Sequence, residues 1–252
     1  MNQVRKVALV TGAGTGIGRA AAFALLRDGF TVIFTGRRID VLEKAIEASK
    51  ADKAHTLAFA ADIGKPSDVQ ALFNAIRERF GRLDLLFNNA GMGTPSIPFE
   101  DISFEQWQAT LNVNLTGAFL CSQHAFRMMR DQTPQGGRII NNGSISAHSP
   151  RPFTAPYTST KHAMTGLTKS LALDGRAYNI ACGQIDIGNA ATEMTNRMAA
   201  GILQADGSIK VEDRMDVTQV GNAVAQMAAL PLESNILFMT IMATKMPFVG
   251  RG

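Results

Sequence analysis

Short apolar, β-branched runs alternate along this chain with longer stretches in which apolar residues recur every three to four positions. The runs at 7–10, 31–34, 55–59, 83–88, 138–142, 179–185 and 236–242 have the length and composition of strands. Between them, 18–28, 40–50, 67–80, 103–130, 155–174 and 216–229 carry helical patterns. Strand–helix alternation of this kind implies a parallel sheet buried on both faces. With right-handed crossovers this predicts an α/β fold: a single doubly wound parallel sheet of about seven strands with helices on both faces.

The ends of several elements are signposted. Gly29 and Gly81 stand where helices should stop, in the C′ place that favours a left-handed backbone. Ser103 followed by Gln106 matches a capping box at the start of the longest helix. No linker, repeat or low-complexity tract interrupts the pattern, so 1–252 reads as one domain. The exception is 188–215, rich in Met, Ala and Gly with weak periodicity. It reads as a flap over a substrate pocket, or as a plain surface excursion holding a short helix.

Composition narrows the function classes. Apolar residues make up 46% of the chain and charged residues 18%, as in a soluble globule with a substantial core. The net charge of +4 is spread along the chain without a dense basic stripe, so no nucleic-acid partner is expected. No apolar run is long enough to span a bilayer, and the polar start of the chain does not resemble a secretory signal. A cytoplasmic protein without membrane contact is the expectation. Cys121 and Cys182 lie in apolar segments and read as buried free thiols, and the four histidines show no metal-ligand spacing, so no metal is expected.

The chemistry begins at Val7-Ala-Leu-Val-Thr-Gly-Ala-Gly-Thr-Gly-Ile-Gly18, a glycine cluster directly after a strand and before a helix. Glycine lets the backbone turn sharply and approach a pyrophosphate, and the helix N-terminus offers free N–H groups to its charge. After the second strand, Gly36 carries no carboxylate for a ribose 2′-OH, and Arg37 offers a fork of donors suited to a 2′-phosphate. That favours NADP, with NAD as the alternative. Tyr157 and Lys161 are one helical turn apart, and a lysine ammonium beside a phenol favours the phenolate, lowering a pKa of roughly 10.

Thr11-Gly-Ala-Gly-Thr-Gly-Ile-Gly18 resembles the TGxxxGxG fingerprint of the short-chain dehydrogenase/reductase family, and the resemblance extends over nearly the whole chain. It implies a Rossmann-type oxidoreductase, with Gly12, Thr15, Gly16, Ile17 and Gly18 at the cofactor phosphates. Asp62 and Ile63 would lie at the adenine, and Asn89, Ala90 and Gly91, within an NNAG motif, at its ribose. Ser144, thirteen residues before Tyr157, matches the family's catalytic serine, and Asn114 matches a helix asparagine that holds a water linked to the lysine. Asn114, Ser144, Tyr157 and Lys161 then form the catalytic set, with Tyr157 and Lys161 also touching cofactor.

The family's Pro-Gly after the sixth strand is replaced by Ile187-Gly188, with Thr192 in the place of the carboxamide-binding threonine, and Asp186 or Asn189 could hold that turn instead. NADP-preferring members often carry a basic residue in the glycine turn where this chain has Thr15. Ala147, Phe153, Ile187, Met194 and Met198 suggest an apolar substrate lining. The resemblance further implies a homodimer or homotetramer acting on a small-molecule carbonyl or alcohol. A non-catalytic dinucleotide-binding regulator or scaffold is the competing reading.

Overall fold

Along each central strand, apolar side chains point alternately to two helical layers, and this period of two separates the core into halves. The computed structural model describes residues 5–249. It opens with β1 (Val7–Thr11), α1 (Gly16–Arg27), β2 (Thr31–Gly36), α2 (Ile39–Ser49), β3 (Thr56–Ala60), α3 (Pro66–Phe80) and β4 (Leu85–Asn88). It continues with α4 (Phe104–Leu111), α5 (Gly117–Asp131), β5 (Gly137–Asn142), α6 (Ala155–Asp174) and β6 (Ile180–Ile187). The last part holds α7 (Asn196–Ala200), β7 (Ile202–Leu203), β8 (Ile209–Lys210), α8 (Val217–Ala229) and β9 (Phe238–Ile241).

Among the described residues, seven strands form one parallel sheet in the order β3-β2-β1-β4-β5-β6-β9. Ala8, Val10, Val32, Phe34, Leu85, Phe87 and Ile140 pack against α1, α2 and α8. Leu9, Ile33, Leu86 and Ile139 face α3 and α5 on the other side. This is the expected doubly wound α/β architecture. Cys121 and Cys182 are buried free thiols as expected, and burial pushes both up to about 12.

The signposted ends hold. Gly29 and Gly81 take positive φ, 87° and 69°, and Ser103 and Gln106 form a reciprocal capping box. Two differences from the expected elements bear on the site. The helix expected over 103–130 is broken by a π turn at Asn112–Thr116 between α4 and α5, a distortion that re-aims the side chains it carries. β6 runs two residues beyond the expected 185 because β9 pairs with it past the end of β5 and brings Asp186 and Ile187 into the ladder. The stretch 188–215 contains α7 and the small antiparallel pair of β7 and β8, and Ala190 bridges Met215 at its base.

Candidate active site

The strand order reverses at β1, whose neighbours are β2 and β4. At such a switch point, crossovers leave to opposite faces and open a crevice beyond the strand ends. A cavity of about 810 Å³ lies there. Gly12, Gly14, Thr15, Gly16 and Ile17 line one end. Gly12 and Gly16 adopt φ of 65° and 51°, which side chains rarely tolerate. The first turn of α1 has no side-chain cap from Thr15, so its N–H groups are left for another acceptor. This geometry fits a dinucleotide pyrophosphate. Gly18, expected at the phosphates, is buried off the cavity: a Cβ there would lie 2.2 Å from the Gly12 carbonyl oxygen. Its role is the close packing of the turn.

Arg37 lines the cavity beside Gly36, and so do Arg38 and Arg19. All three are exposed, and none pairs with a carboxylate among the described residues. Arg19 and Arg38 escaped the motif reading. Arg19, directly after the last glycine of the turn, was the legible one. Asp62 and Ile63 also face the cavity, and Asp62 Oδ1 accepts the Gly64 N–H at 3.0 Å. Asn89, Ala90 and Gly91 follow on the same wall. Asn89 Nδ2 donates to Thr11 O at 2.9 Å, and its Oδ1 accepts from Asn142 Nδ2 at 3.0 Å. Asn89 therefore braces β1, β4 and β5 while its backbone passes the site.

Ser144, Tyr157 and Lys161 come together on the wall of this same cavity, from the end of β5 and from α6. Lys161 Nζ lies 5.5 Å from the Tyr157 ring centre and donates to the Asn142 carbonyl at 2.7 Å. Burial pulls Lys161 down to about 8, with the Asp186 charge opposing. Ser144 Oγ accepts the Ser146 N–H at 3.1 Å, which leaves the hydroxyl proton for another acceptor.

Asn114 does not line the cavity. It sits one layer behind, 2% exposed, on the π turn. Its Oδ1 accepts the Met92 N–H at 2.8 Å, and its Nδ2 donates to Met92 O at 3.0 Å and to Thr160 Oγ1 at 3.3 Å. Both amide donors are thus committed to protein, and the side chain ties the loop after β4 to the first turns of α6.

Asp186, 1% exposed at the end of β6, lies beneath Ser144. Its Oδ1 accepts from the Ser144 N–H at 3.0 Å and from Gln184 Nε2 at 2.7 Å, and its Oδ2 lies 2.8 Å from His148 Nε2. A Cβ on Gly143 would stand 2.0 Å from Oδ1, so this approach requires glycine. Ile187, Thr192, Met194 and Met198 line the cavity, with Thr192 packed against Gly16. The turn lacking proline is held by β9 through the Gly188 N–H to Ile241 O at 2.8 Å, and by Asn189. Ala147 and Phe153 do not line it. Ala147 is buried beside Ser146, and Phe153, with φ of 58°, is 44% exposed away from it.

Comparison with known proteins follows this geometry. A family model described as short chain dehydrogenase matches residues 6–202. The chain is 34% identical over 197 residues to a 3beta-hydroxysteroid dehydrogenase of Mediterraneibacter gnavus, covering 78% of this chain and 70% of that protein. It is 35% identical over 189 residues to a 2,3-dihydro-2,3-dihydroxybenzoate dehydrogenase of Bacillus subtilis, covering 75% and 71%. The crystal structure of a 3-ketoacyl-(acyl-carrier-protein) reductase from Brucella melitensis complexed with NADH superposes with a TM-score of 0.83 at 26% identity, over 94% of this chain and 96% of that one.

Proposed function

The chain belongs to the short-chain dehydrogenase/reductase family and is an NAD(P)-dependent oxidoreductase; from that premise we propose that it moves hydride between NADP(H) and a carbonyl or alcohol, with Tyr157 as acid/base. The observation that carries this reading is that Ser144, Tyr157 and Lys161 share one cavity with the glycine turn. NADP is supported by Arg19, Arg37 and Arg38 around a strand end that bears no carboxylate, with NAD as the alternative.

A nicotinamide held in this cavity would supply or accept the hydride. Tyr157 donates its proton to the substrate oxygen in reduction and takes it back in oxidation. Lys161, cationic below about 8 and anchored on the Asn142 carbonyl, lowers the energy of the phenolate. The Ser144 hydroxyl donates to the substrate oxygen as charge develops there. Asn114 keeps α6 and the Met92 loop in register. The glycine turn, the Asp62 loop and the Asn89 wall would hold the adenosine and phosphates. No helix among the described residues is long and apolar enough to cross a membrane, and a homodimer or homotetramer in the cytoplasm remains our proposal.

Relatives named for a steroid and for a dihydroxybenzoate are matched about equally, so the family leaves the substrate open. The test is Tyr157→Phe with NADPH titration alongside. Turnover of a ketone panel should drop by at least about a thousandfold while NADPH affinity stays within about twofold. Turnover like that of the unaltered enzyme refutes the acid/base assignment.

A further inference from the structure

Arg151 stands six residues before Tyr157 and lines the substrate end of the cavity, yet its guanidinium is bound to the flap. Nη1 donates to Glu212 Oε1 at 2.7 Å and Nη2 to Glu212 Oε2 at 2.5 Å, a two-pronged pair, and Nη2 also reaches Asn189 Oδ1 at 3.3 Å. Asn189 Nδ2 at 2.7 Å and Gln204 Nε2 at 3.0 Å add further donors to the carboxylate. The Arg151 side chain is 9% exposed and that of Glu212 1%. Glu212 does not reach the cavity wall. Arg151 is therefore part of the cavity wall, and Glu212, off the wall, is bound to its guanidinium.

Burial pushes the Glu212 carboxyl up, but the hydrogen bonds from Arg151, Asn189 and Gln204 and the Arg151 charge outweigh it and hold the group at about 2. It is ionised at any working pH. Met92, Met194, Met198, Ile202 and Leu203 supply apolar lining at this end, beside the uncharged polar Thr94, Ser96, Thr154 and Asn196. Lys161 is spent on the Asn142 carbonyl and Tyr157, and Glu193 is exposed to solvent. An anionic substrate would shed its hydration here and meet a guanidinium whose fork is already filled by a carboxylate. An uncharged substrate loses nothing comparable.

We propose that Glu212 is a specificity-determining residue: by cancelling the Arg151 charge from off the cavity wall, it makes the pocket select uncharged carbonyl or alcohol substrates over those bearing a carboxylate or phosphate. This deepens the reductase reading and rests on it. Specificity is a difference of affinities, and here the device is a masked charge whose removal unmasks the opposite preference.

The test uses matched pairs, para-acetylbenzoate and its methyl ester and an aliphatic keto acid and its ester, with NADPH consumption as the readout. The unaltered enzyme should prefer each ester by about tenfold or more in kcat/KM. Glu212→Gln keeps the side-chain shape and frees the guanidinium, so the ratio should move about tenfold toward the acid. The double variant Arg151→Gln, Glu212→Gln should return to ester preference. Acid preference in the unaltered enzyme overturns the proposal whatever the variants do, and so does an unchanged ratio in folded Glu212→Gln. If NADPH binds but neither partner of any pair is reduced, the reductase reading loses its support. Charge selection is then read from thermal stabilisation of the NADPH complex: stabilisation by the esters supports it, and stabilisation by the acids overturns it.

Discussion

Asp186 Oδ1 accepts the backbone N–H of Ser144 at 3.0 Å, so the end of β6 sets where Ser144 leaves β5. The carboxylate is buried, its other oxygen is 2.8 Å from His148 Nε2, and Gly143 is held free of a side chain by its proximity. Asp186→Ala removes these acceptors and leaves the Ser144 and Gln184 donors without them. Misplacement of a reacting group by about an ångström costs roughly a hundredfold in rate, so kcat should fall ten- to a hundredfold while NADPH affinity changes little. Asp186→Asn retains Oδ1 as an acceptor and should recover much of the loss. Equal kcat in Asp186→Ala and the unaltered enzyme would show that Ser144 is placed by other means.

Lys161 gives the pH dependence. Burial lowers it from 10.5 to about 8 against the opposing charge of Asp186. The ammonium is present below that value and is lost as pH rises through it. The reduction rate should therefore decline above about pH 8, and the apparent value belongs to the Tyr157–Lys161 pair rather than to either group. Steady-state kcat measured across pH 6–10 checks it. Lys161→Met should lower the rate throughout and abolish the limb near 8; persistence of that limb in the variant would assign it elsewhere.

The ribose end makes a separate prediction. Arg37 and Arg38 line the cavity, are exposed and lack a carboxylate partner among the described residues. Charge-assisted hydrogen bonds to a phosphate contribute about 1.5–3 kcal/mol, and solvent screening places exposed ones at the low end. Arg37→Asp should raise the Kd for NADPH about tenfold and leave that for NADH near its starting value. Isothermal titration of both cofactors measures this, and tighter NADH than NADPH binding by the unaltered protein would reverse the cofactor assignment.

How far the sequence alone reached depends on how local each signal is. The strands, the glycine turn and the Tyr157–Lys161 spacing are encoded within a few residues, and the structure places them as expected. The π turn at Asn112–Thr116 was illegible, since the helical period of 103–130 continues through it. The extension of β6 to Ile187 depends on β9, some fifty residues away. Ala147 and Phe153 read as apolar lining from their place in the sequence, but Ala147 is buried and Phe153 is 44% exposed, and neither lines the cavity. Arg151 and Glu212 are 61 residues apart in sequence and share no motif, so only the folded 188–215 segment unites them.

That same pair links acid stability to the 188–215 segment. Glu212 is lowered from 4.5 to about 2 in the folded protein, although burial alone would raise it. A depressed carboxyl contributes stability that is fully present above its unfolded value and is lost as pH falls through the folded one. The window is therefore pH 4.5 down to about 2, and a shift of this size corresponds to on the order of 3 kcal/mol. Glu212→Gln does not titrate, so its unfolding free energy should fall less steeply than that of the unaltered protein across this window. At neutral pH the same variant should be less stable by a few kcal/mol, because it leaves the Arg151 guanidinium buried without its countercharge. Urea unfolding at a series of pH values between 3 and 7 reads both effects. Parallel curves for the two proteins would mean that Glu212 carries no such linkage and that the flap is held by its other contacts.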